Sequence, residues 1–200
     1  RKACNHPYLF DGAEPEPFQE GDHLWKNSGK LRLLHQLLPK LHQEKHRVLM
    51  FSQSTAMLDI VQDFLDWIKY SYERLDGSCR RDDRFNAIER FTKSDEKPFV
   101  FLLSTRAGGM GLNLQEADTV VFLDSDYNPQ MDLQALARAY RVGQENHVRV
   151  FRLITADSVE EIILQRANRK LKLSKAILES EETQETDSPP LDLTHLLQYG

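Results

Sequence analysis

Apolar residues are grouped along the chain in two ways, as short unbroken runs and as longer stretches with a helical repeat. The unbroken runs predict five strands, at residues 47–52, 72–76, 99–104, 119–123 and 148–154. Two of them, FVFLLS and TVVFL, show no alternation of apolar and polar positions, which is typical of parallel strands buried on both faces. We therefore expect a parallel sheet at the centre of the fold.

Stretches with apolar residues three or four positions apart predict the helices that connect these strands. The helices are expected after Ser28, from Thr55, around Phe85, from Pro129, and from Ser158 to about Leu178. Thr55 is the expected N-cap of the second helix, and Pro39 should kink or shorten the first. This alternation of strands and helices predicts an α/β fold, with an open parallel sheet and helices on both faces.

The net charge of −5 is unevenly distributed along the 200 residues. Residues 11–22 carry five acidic and no basic residues, and residues 176–200 carry six acidic and no basic residues. Residues 23–175 hold 24 basic and 20 acidic residues, a net charge of +4, so an anionic ligand remains open. The longest apolar run, 99–103, is far shorter than the ~20 residues of a membrane helix, so no membrane partner is expected.

The sharpest local feature is the sequence STRAGGMG at 104–111, which directly follows a predicted buried strand. Glycines at the carboxyl end of a parallel strand let backbone N–H groups approach an anion, and Thr105 adds a hydroxyl donor. The alternative is a tight strand-to-helix turn with no ligand. The pattern alone leaves both interpretations open.

A second feature is a pair of arginines, Arg138 and Arg141, whose spacing of three places them on one helical face. Two guanidinium groups could clamp a phosphoryl group, or they could belong to a solvated basic surface. Asp124 and Asp126, at the end of a predicted strand, could orient these arginines, ligate a metal, or simply form a polar strand end.

Other candidate sites fail on their sequence patterns. Gly29 and Lys30 resemble the end of a phosphate-binding loop, but the earlier glycine and the following Ser or Thr are absent. His42 and His46 have a spacing found in metal sites but lack a third ligand, so no metal site is predicted. A dinucleotide-binding enzyme is excluded because the first strand–turn–helix lacks G-x-G-x-x-G.

Six segments taken together resemble the helicase-type motifs of the Swi/Snf ATPase family, in the order of that family. They are RKACNHPYLF, RVLMFSQ, YERLDGS, STRAGGMGLNL, DSDYNPQ and QALARAYRVGQ. The resemblance covers residues 1 to about 178 and is to the second RecA-like lobe. The acidic HPYLFDGAEPEPF stretch and the final LDLTHLLQYG resemble the imitation-switch and chromodomain-helicase-like remodellers most.

The resemblance implies a two-lobe motor in the nucleus that hydrolyses ATP, moves along double-stranded DNA and remodels nucleosomes. It implies that Arg138 and Arg141 are catalytic arginine fingers and that Gly109, Gly111, Asp124 and Gln144 serve the nucleotide. The residues implied to contact DNA are Ser52, Gln53, Gly77, Thr105, Arg106 and Tyr127. Tyr127 stands where the family usually has Trp, so the indole N–H of that minor-groove contact is lost.

The resemblance also implies a division of the chain into segments. Residues 1–22 would be an acidic segment leading in from a preceding lobe, 23–157 the second lobe, and 158–178 a brace helix that packs on the first lobe. Residues 179–200 would be an acidic regulatory linker with a short docking helix, contacting a histone or the ATPase itself.

The chain begins inside a motif and contains neither a phosphate-binding G-x-x-x-x-G-K-[ST] loop nor an Asp-Glu box for Mg²⁺. In the family these belong to the first lobe, which therefore should supply the Mg²⁺ ligands. The 200 residues alone are expected to have no ATPase activity and only weak affinity for DNA. The alternatives are the same lobe of a DNA-repair translocase and a non-catalytic interaction module.

Overall fold

The computed structural model describes residues 1–94, 97–105 and 112–183. It contains one five-stranded sheet. The strands are β1 (Val48–Ser52), β2 (Tyr72–Leu75), β3 (Val100–Ser104), β4 (Thr119–Phe122) and β5 (Arg149–Arg152). Their spatial order is β2-β3-β1-β4-β5, and every neighbouring pair is parallel. The predicted open parallel sheet is therefore confirmed.

Helices lie before, between and after the strands. They are α1 (Lys2–Asn5), a 3-10 turn (Pro7–Leu9), α2 (His23–Lys26), α3 (Gly29–Gln43), α4 (Thr55–Trp67), α5 (Arg81–Lys93), α6 (Pro129–Leu136) and α7 (Val159–Thr183). The side chain of Ser28 caps α3 by accepting from the N–H of Leu31. Pro39 does not shorten α3, which continues to Gln43.

Two buried clusters cover the two faces of the sheet because side chains of successive strand residues point to opposite faces. Val48 and Met50 of β1 join the cluster packed on α3 and α4, whereas Leu49 and Phe51 join the cluster packed on α5 and α6. The predicted helices on both faces are therefore confirmed. β1 is buried along its whole length, as the run of apolar residues predicts.

Three local predictions were wrong. The N-cap of α4 is Ser54, whose side chain accepts from the N–H of Met57, and Thr55 is the first helical residue. Phe85, expected on the apolar face of α5, is 63% exposed. The side chains of α5 that are buried are those of Ala87 and Phe91. Helix α7 continues past the predicted end at 178, to Thr183.

The first ten residues pack on the sheet-and-helix body. Asn5 and His6 are buried, and Leu9 belongs to the cluster formed with α3 and α4. The ring of His6 donates from Nε2 to the carbonyl of Leu24 (2.7 Å) and accepts from the N–H of Tyr8 at Nδ1 (3.1 Å). Burial lowers the pKa of His6, consistent with this neutral ring. Among the described residues, no helix is long and apolar enough to span a membrane.

Candidate functional site

The carboxyl ends of the central strands bring together three of the residues predicted to lie at the site. Ser52 ends β1 and stands opposite Ser104 of β3, so the residue after β3, Thr105, lies beside the end of β1. The N–H of Thr105 donates to the carbonyl of Ser52 (3.0 Å), and the hydroxyl of Ser52 donates to Asp124 (2.7 Å). Ligands of open parallel sheets bind at this edge.

Asp124 organises this edge of the sheet. It is 2% exposed, and its Oδ1 accepts from the backbone N–H of Gln53 (2.9 Å). Its Oδ2 accepts from Ser52 Oγ and from Asn5 Nδ2 (3.1 Å). Asp126 in turn accepts from the N–H of Asn128. The described hydrogen bonds of both carboxylates thus close the end of β4 and involve neither Arg138 nor Arg141.

Two side chains at this edge hold buried polar atoms that have no hydrogen-bond partner among the described residues. These atoms are Nε2 of Gln53 and Oγ1 of Thr105. The other end of the Gln53 amide, Oε1, accepts from Arg1 (2.7 Å). A buried polar group without a partner costs about 1–3 kcal/mol, so two such groups at one edge favour a bound molecule that supplies acceptors. Gln53 and Asp124 line a cavity of about 240 Å³ together with Arg1 and Lys2.

Gly77 lies in the turn that follows β2, at the same edge of the sheet. Asp76 holds this turn by accepting from the N–H (2.9 Å) and the hydroxyl (2.5 Å) of Ser78. Burial alone would raise the pKa of Asp76, but the bonds from Ser78 and Arg74 lower it. Apart from its two neighbours in the chain, no atom of the described residues lies within 4 Å of the position that a Cβ of Gly77 would occupy, so this backbone is open to an approaching ligand.

Tyr127 lies on the surface beyond the end of β4. Its side chain is 54% exposed, and the guanidinium of Arg1 lies 4.6 Å from the centre of its ring. Arg1 also donates to the carbonyl of Ser125 (3.0 Å) and, as described above, to Gln53. Arg1 thereby joins Tyr127 and Gln53, two of the predicted DNA-contacting residues, on one surface.

The two predicted arginine fingers lie beyond the end of a helix rather than on its face, which corrects the sequence-based expectation. Helix α6 ends at Leu136, and the following residues form turns in which the N–H of Arg138 donates to Ala135. Arg141 is exposed, whereas the Nε of Arg138 is buried and has no partner among the described residues. Burial and the neighbouring charge of Arg141 lower the pKa of Arg138, and a bound anion would offset both effects.

Gln144 is held by the chain itself. Its Nε2 donates to the carbonyls of Gln115 (2.8 Å) and Ala117 (2.9 Å) and lies 3.3 Å from that of Ala139. Its Oε1 accepts from the N–H of Asn146. These bonds tie the segment after Arg141 to the segment before β4, so Gln144 fixes the position of the arginine-bearing turns. Its contact with a nucleotide stays a prediction.

Three residues of the glycine-rich loop, Arg106, Gly109 and Gly111, lie outside the described residues. Their predicted roles therefore stay predictions. His42 and His46, whose spacing was judged above insufficient for a metal site, both have partners within the protein. His42 packs against Tyr70 and Phe99, and His46 pairs with Asp118 at 2.8 Å. Within the part of the chain that the structure describes, no group of three or more His, Cys, Asp or Glu residues could hold a metal ion.

Sequence reasoning missed a buried ion pair next to this edge. Lys30, considered above only as part of an incomplete phosphate-binding loop, is 5% exposed and lies 2.5 Å from Glu160 of α7. Its Nζ also donates to Asn5 Oδ1 (2.8 Å) and to the carbonyl of Leu123 (2.6 Å). A signal was present in the sequence, since Lys30 occupies the first position of the apolar stripe of α3, one turn before Leu34.

Comparison with known proteins places this geometry in a family. The family model described as the helicase conserved C-terminal domain matches residues 29–143, which span α3 to the end of the arginine-bearing turns. In the crystal structure of the C-terminal part of the Fun30 ATPase domain, a similar fold covers 74% of this chain and 47% of that chain. The TM-score is 0.70 and the sequence identity 42%.

Curated relatives match at higher identity. The chain is 58% identical over 179 residues to Chromodomain-helicase-DNA-binding protein 1-like of Mus musculus, covering 90% of this chain and 20% of the relative. It is 53% identical over 184 residues to the ISWI chromatin-remodeling complex ATPase ISW1 of Saccharomyces cerevisiae, covering 92% of this chain and 16% of the relative. The chain thus spans about a fifth of the length of such relatives. By this match and this fold, the chain belongs to the helicase conserved C-terminal domain family.

Proposed function

We propose that this chain is the second lobe of an ATP-dependent motor that moves along double-stranded DNA and remodels nucleosomes in the nucleus. The observation that carries the proposal is the pair of unpartnered buried polar atoms, Gln53 Nε2 and Thr105 Oγ1, at the carboxyl edge of the sheet. The names of the relatives add support, because one is named a DNA-binding protein and the other a chromatin-remodeling complex ATPase.

The carboxyl edge suits the backbone of a nucleic acid rather than its bases. Amide and hydroxyl groups, such as those of Gln53, Ser52 and Thr105, can donate to phosphate oxygens, and such contacts position a protein without reading sequence. The open backbone at Gly77 admits a phosphate at close range. Tyr127, exposed beside this edge, offers an aromatic face to the groove. The net charge of +4 on residues 23–175 favours the same ligand.

The arginine-bearing turns suit the phosphates of ATP held by a preceding lobe. The buried Nε of Arg138 needs an acceptor, and a phosphate oxygen supplies one. Arg141 on the same surface can stabilise the negative charge that develops as the terminal phosphoryl group is transferred. Mg²⁺, which neutralises that charge when bound, is assigned in this proposal to ligands of the preceding lobe.

The decisive experiment substitutes Arg141→Ala in the full-length protein and measures ATP turnover with saturating DNA. Arginine fingers contribute roughly 10³-fold or more to phosphoryl transfer, so turnover should fall by about that factor while DNA binding persists. Arg149→Ala is the matched control, because Arg149 is exposed and forms a surface ion pair with Glu44, and such pairs contribute little. Turnover that stays unchanged in Arg141→Ala refutes the assignment.

A further inference from the structure

A continuous chain of buried contacts joins the first turn of α7 to the loop that follows β1. It starts at Glu160, whose Oε2 accepts from the N–H of Thr155 (3.0 Å) and whose Oε1 lies 2.5 Å from Lys30 Nζ. Lys30 donates onward to the side-chain oxygen of Asn5, and the side-chain nitrogen of Asn5 donates to Asp124. Glu160, Lys30, Asn5 and Asp124 are each at most 5% exposed.

The last member of this chain of contacts determines the position of the predicted DNA-contacting loop. Asp124 accepts from the backbone N–H of Gln53 at 2.9 Å and from the hydroxyl of Ser52 at 2.7 Å. Ser52 Oγ in turn accepts from the N–H of Ser54, the N-cap of α4. Lys30 also holds the carbonyl of Leu123, the residue before Asp124, so it constrains Asp124 through the main chain as well.

We propose that Glu160, Lys30 and Asn5 are positioning residues that act through Asp124. Through them, the docking of α7 sets how the 52–53 loop presents its donors to DNA. The inference rests on the proposed function for the role of this loop in binding DNA. The contacts that join Glu160 to Gln53 do not depend on that function. Each of the three residues contacts a neighbour on either side along this chain of contacts. Glu160 and Lys30 lie behind the edge where DNA would bind, and Asn5 lines the cavity of about 240 Å³ at that edge.

The chemistry of the contacts explains why the link is specific. A buried lysine needs acceptors for all three of its protons, and Glu160, Asn5 and Leu123 supply one each. A buried ion pair adds little net stability compared with well-packed apolar residues, whereas removing one partner leaves an uncompensated charge. An apolar pair at the same positions would fill the space equally well but could not orient Asn5. The ionic pair is therefore suited to orientation more than to stability.

The test measures hydrogen exchange of the amides of Gln53 and Ser54 in the full-length protein, without DNA or nucleotide. Glu160→Gln should accelerate exchange of these amides about tenfold, a typical size for coupling between distant sites. The strand β1, residues 48–51, should keep its protection. Glu161→Gln, which removes the same charge in the same helical turn, is the matched control and should leave both regions unchanged.

A second variant separates positioning from stability. The double substitution Lys30→Met and Glu160→Leu replaces the ion pair by apolar residues of similar size, which is often neutral for stability. Because Asn5 Oδ1, the carbonyl of Leu123 and the N–H of Thr155 lose their partners, its unfolding temperature should fall. It should not fall below that of Glu160→Gln, which leaves a buried charge unpaired, yet exchange at Gln53 should stay fast. In both Glu160→Gln and the double variant, the DNA concentration that gives half-maximal ATP turnover should be raised about tenfold. Recovery of slow exchange in this double variant would overturn the proposal.

Direct substitution of the loop distinguishes failure of this inference from failure of the proposed function. Gln53→Ala removes a proposed contact with DNA without touching the buried chain of contacts. If Gln53→Ala leaves the half-maximal DNA concentration unchanged, the loop is not a DNA contact, but the exchange results still test the link. If Gln53→Ala raises that concentration while Glu160→Gln changes neither exchange nor DNA dependence, the link is wrong and the DNA site stands.

Discussion

Asp118 and Asp124 close the two ends of β4, and the contrast between their surroundings separates structure from function. Each carboxylate accepts from the backbone N–H of a residue that flanks β1. Asp118 Oδ1 accepts from Arg47 (3.2 Å) at the amino end, and Asp124 Oδ1 accepts from Gln53 (2.9 Å) at the carboxyl end. An aspartate at each end of β4 therefore accepts from the main chain beside β1, because β1 and β4 are parallel neighbours.

At the amino end, the carboxylate of Asp118 has its hydrogen-bond partners within the chain, although Arg47 Nη1 beside it is buried without a hydrogen bond among the described residues. Its carboxylate also contacts His46 Nδ1 (2.8 Å) and the hydroxyl of Thr119 (3.2 Å). His46 is paired in turn with Glu44, which accepts from Arg149 (2.8 Å). These contacts join β1, β4 and β5, and the carboxylates of Asp118 and Glu44 both have donors within the protein.

At the carboxyl end, Asp124 is just as well bonded, but the residues around it are not. Gln53 and Thr105 each keep a buried polar atom without a partner among the described residues. Because such atoms cost stability, two neutral side chains of this kind beside Asp124 favour a ligand at this edge. The comparable atom at the amino end, Arg47 Nη1, lies 3.9 Å from the carboxylate of Glu116 instead. The comparison teaches that a hydrogen-bonded aspartate has a structural role at both ends of β4. The neutral donors without partners beside Asp124 support the proposed binding edge.

The largest expected effect comes from removing each aspartate in turn, in the full-length protein. Asp118→Ala and Asp124→Ala each leave three hydrogen-bond partners unpaired, so both should lower the free energy of unfolding by about 2–3 kcal/mol in urea titrations. Under conditions in which both variants stay folded, only Asp124→Ala should also raise the DNA concentration for half-maximal ATP turnover. An equal change in DNA dependence for both variants would remove the functional distinction between the two ends.

A matched pair of threonines sharpens the comparison at a smaller scale. Thr105→Val removes a buried hydroxyl that has no partner among the described residues, so the free energy of unfolding should rise by up to about 1 kcal/mol. Thr119→Val removes a hydroxyl that donates to Asp118, so it should lower that free energy by about 1 kcal/mol. Chemical denaturation measures both.

DNA dependence should change in the opposite sense to stability. The more stable Thr105→Val variant should need several-fold more DNA for half-maximal ATP turnover, since one hydrogen bond to phosphate is lost. The less stable Thr119→Val variant should keep the parent value. If Thr105→Val is stabilised and binds DNA normally, its hydroxyl is a defect of packing and not a contact.

The fold was largely predictable because its signals are local in the sequence. The unbroken apolar run at β3 indicates burial on both faces, and the polar residues and glycines on either side of it mark where the strand ends. The failures are local ambiguities of one residue or one turn. Ser54 and Thr55 both carry a hydroxyl able to cap α4, and only the backbone conformation selects Ser54. The spacing of Arg138 and Arg141 is compatible with one helical face, but α6 ends at Leu136, before both residues.

The candidate site was only partly predictable because its contacts join distant residues. Gln53 was identified only through the resemblance to a family, whereas Thr105 also followed from its place directly after a predicted buried strand. Lys30 and Glu160 lie 130 positions apart, and Asn5 lies a further 25 positions before Lys30. The link among these three exists only in the folded chain, and a lone lysine in an apolar stripe was the sole trace of it in the sequence.

The smallest effect on stability is expected at Gly77, where the comparison can be tested with one methyl group. Within the part of the chain that the structure describes, no atom beyond the two adjacent residues lies within 4 Å of the added Cβ, and the backbone of Gly77 is not in the left-handed region. Gly77→Ala should therefore be neutral or stabilise the protein by about 0.5 kcal/mol. If phosphate approaches this backbone, the methyl group should raise the half-maximal DNA concentration roughly threefold, the value of a weakened hydrogen bond. Gly29→Ala, equally free of close neighbours at the start of α3, is the control. Equal DNA dependence of the two alanine variants would mean that the turn after β2 faces solvent, and the binding edge would then be confined to the ends of β1, β3 and β4.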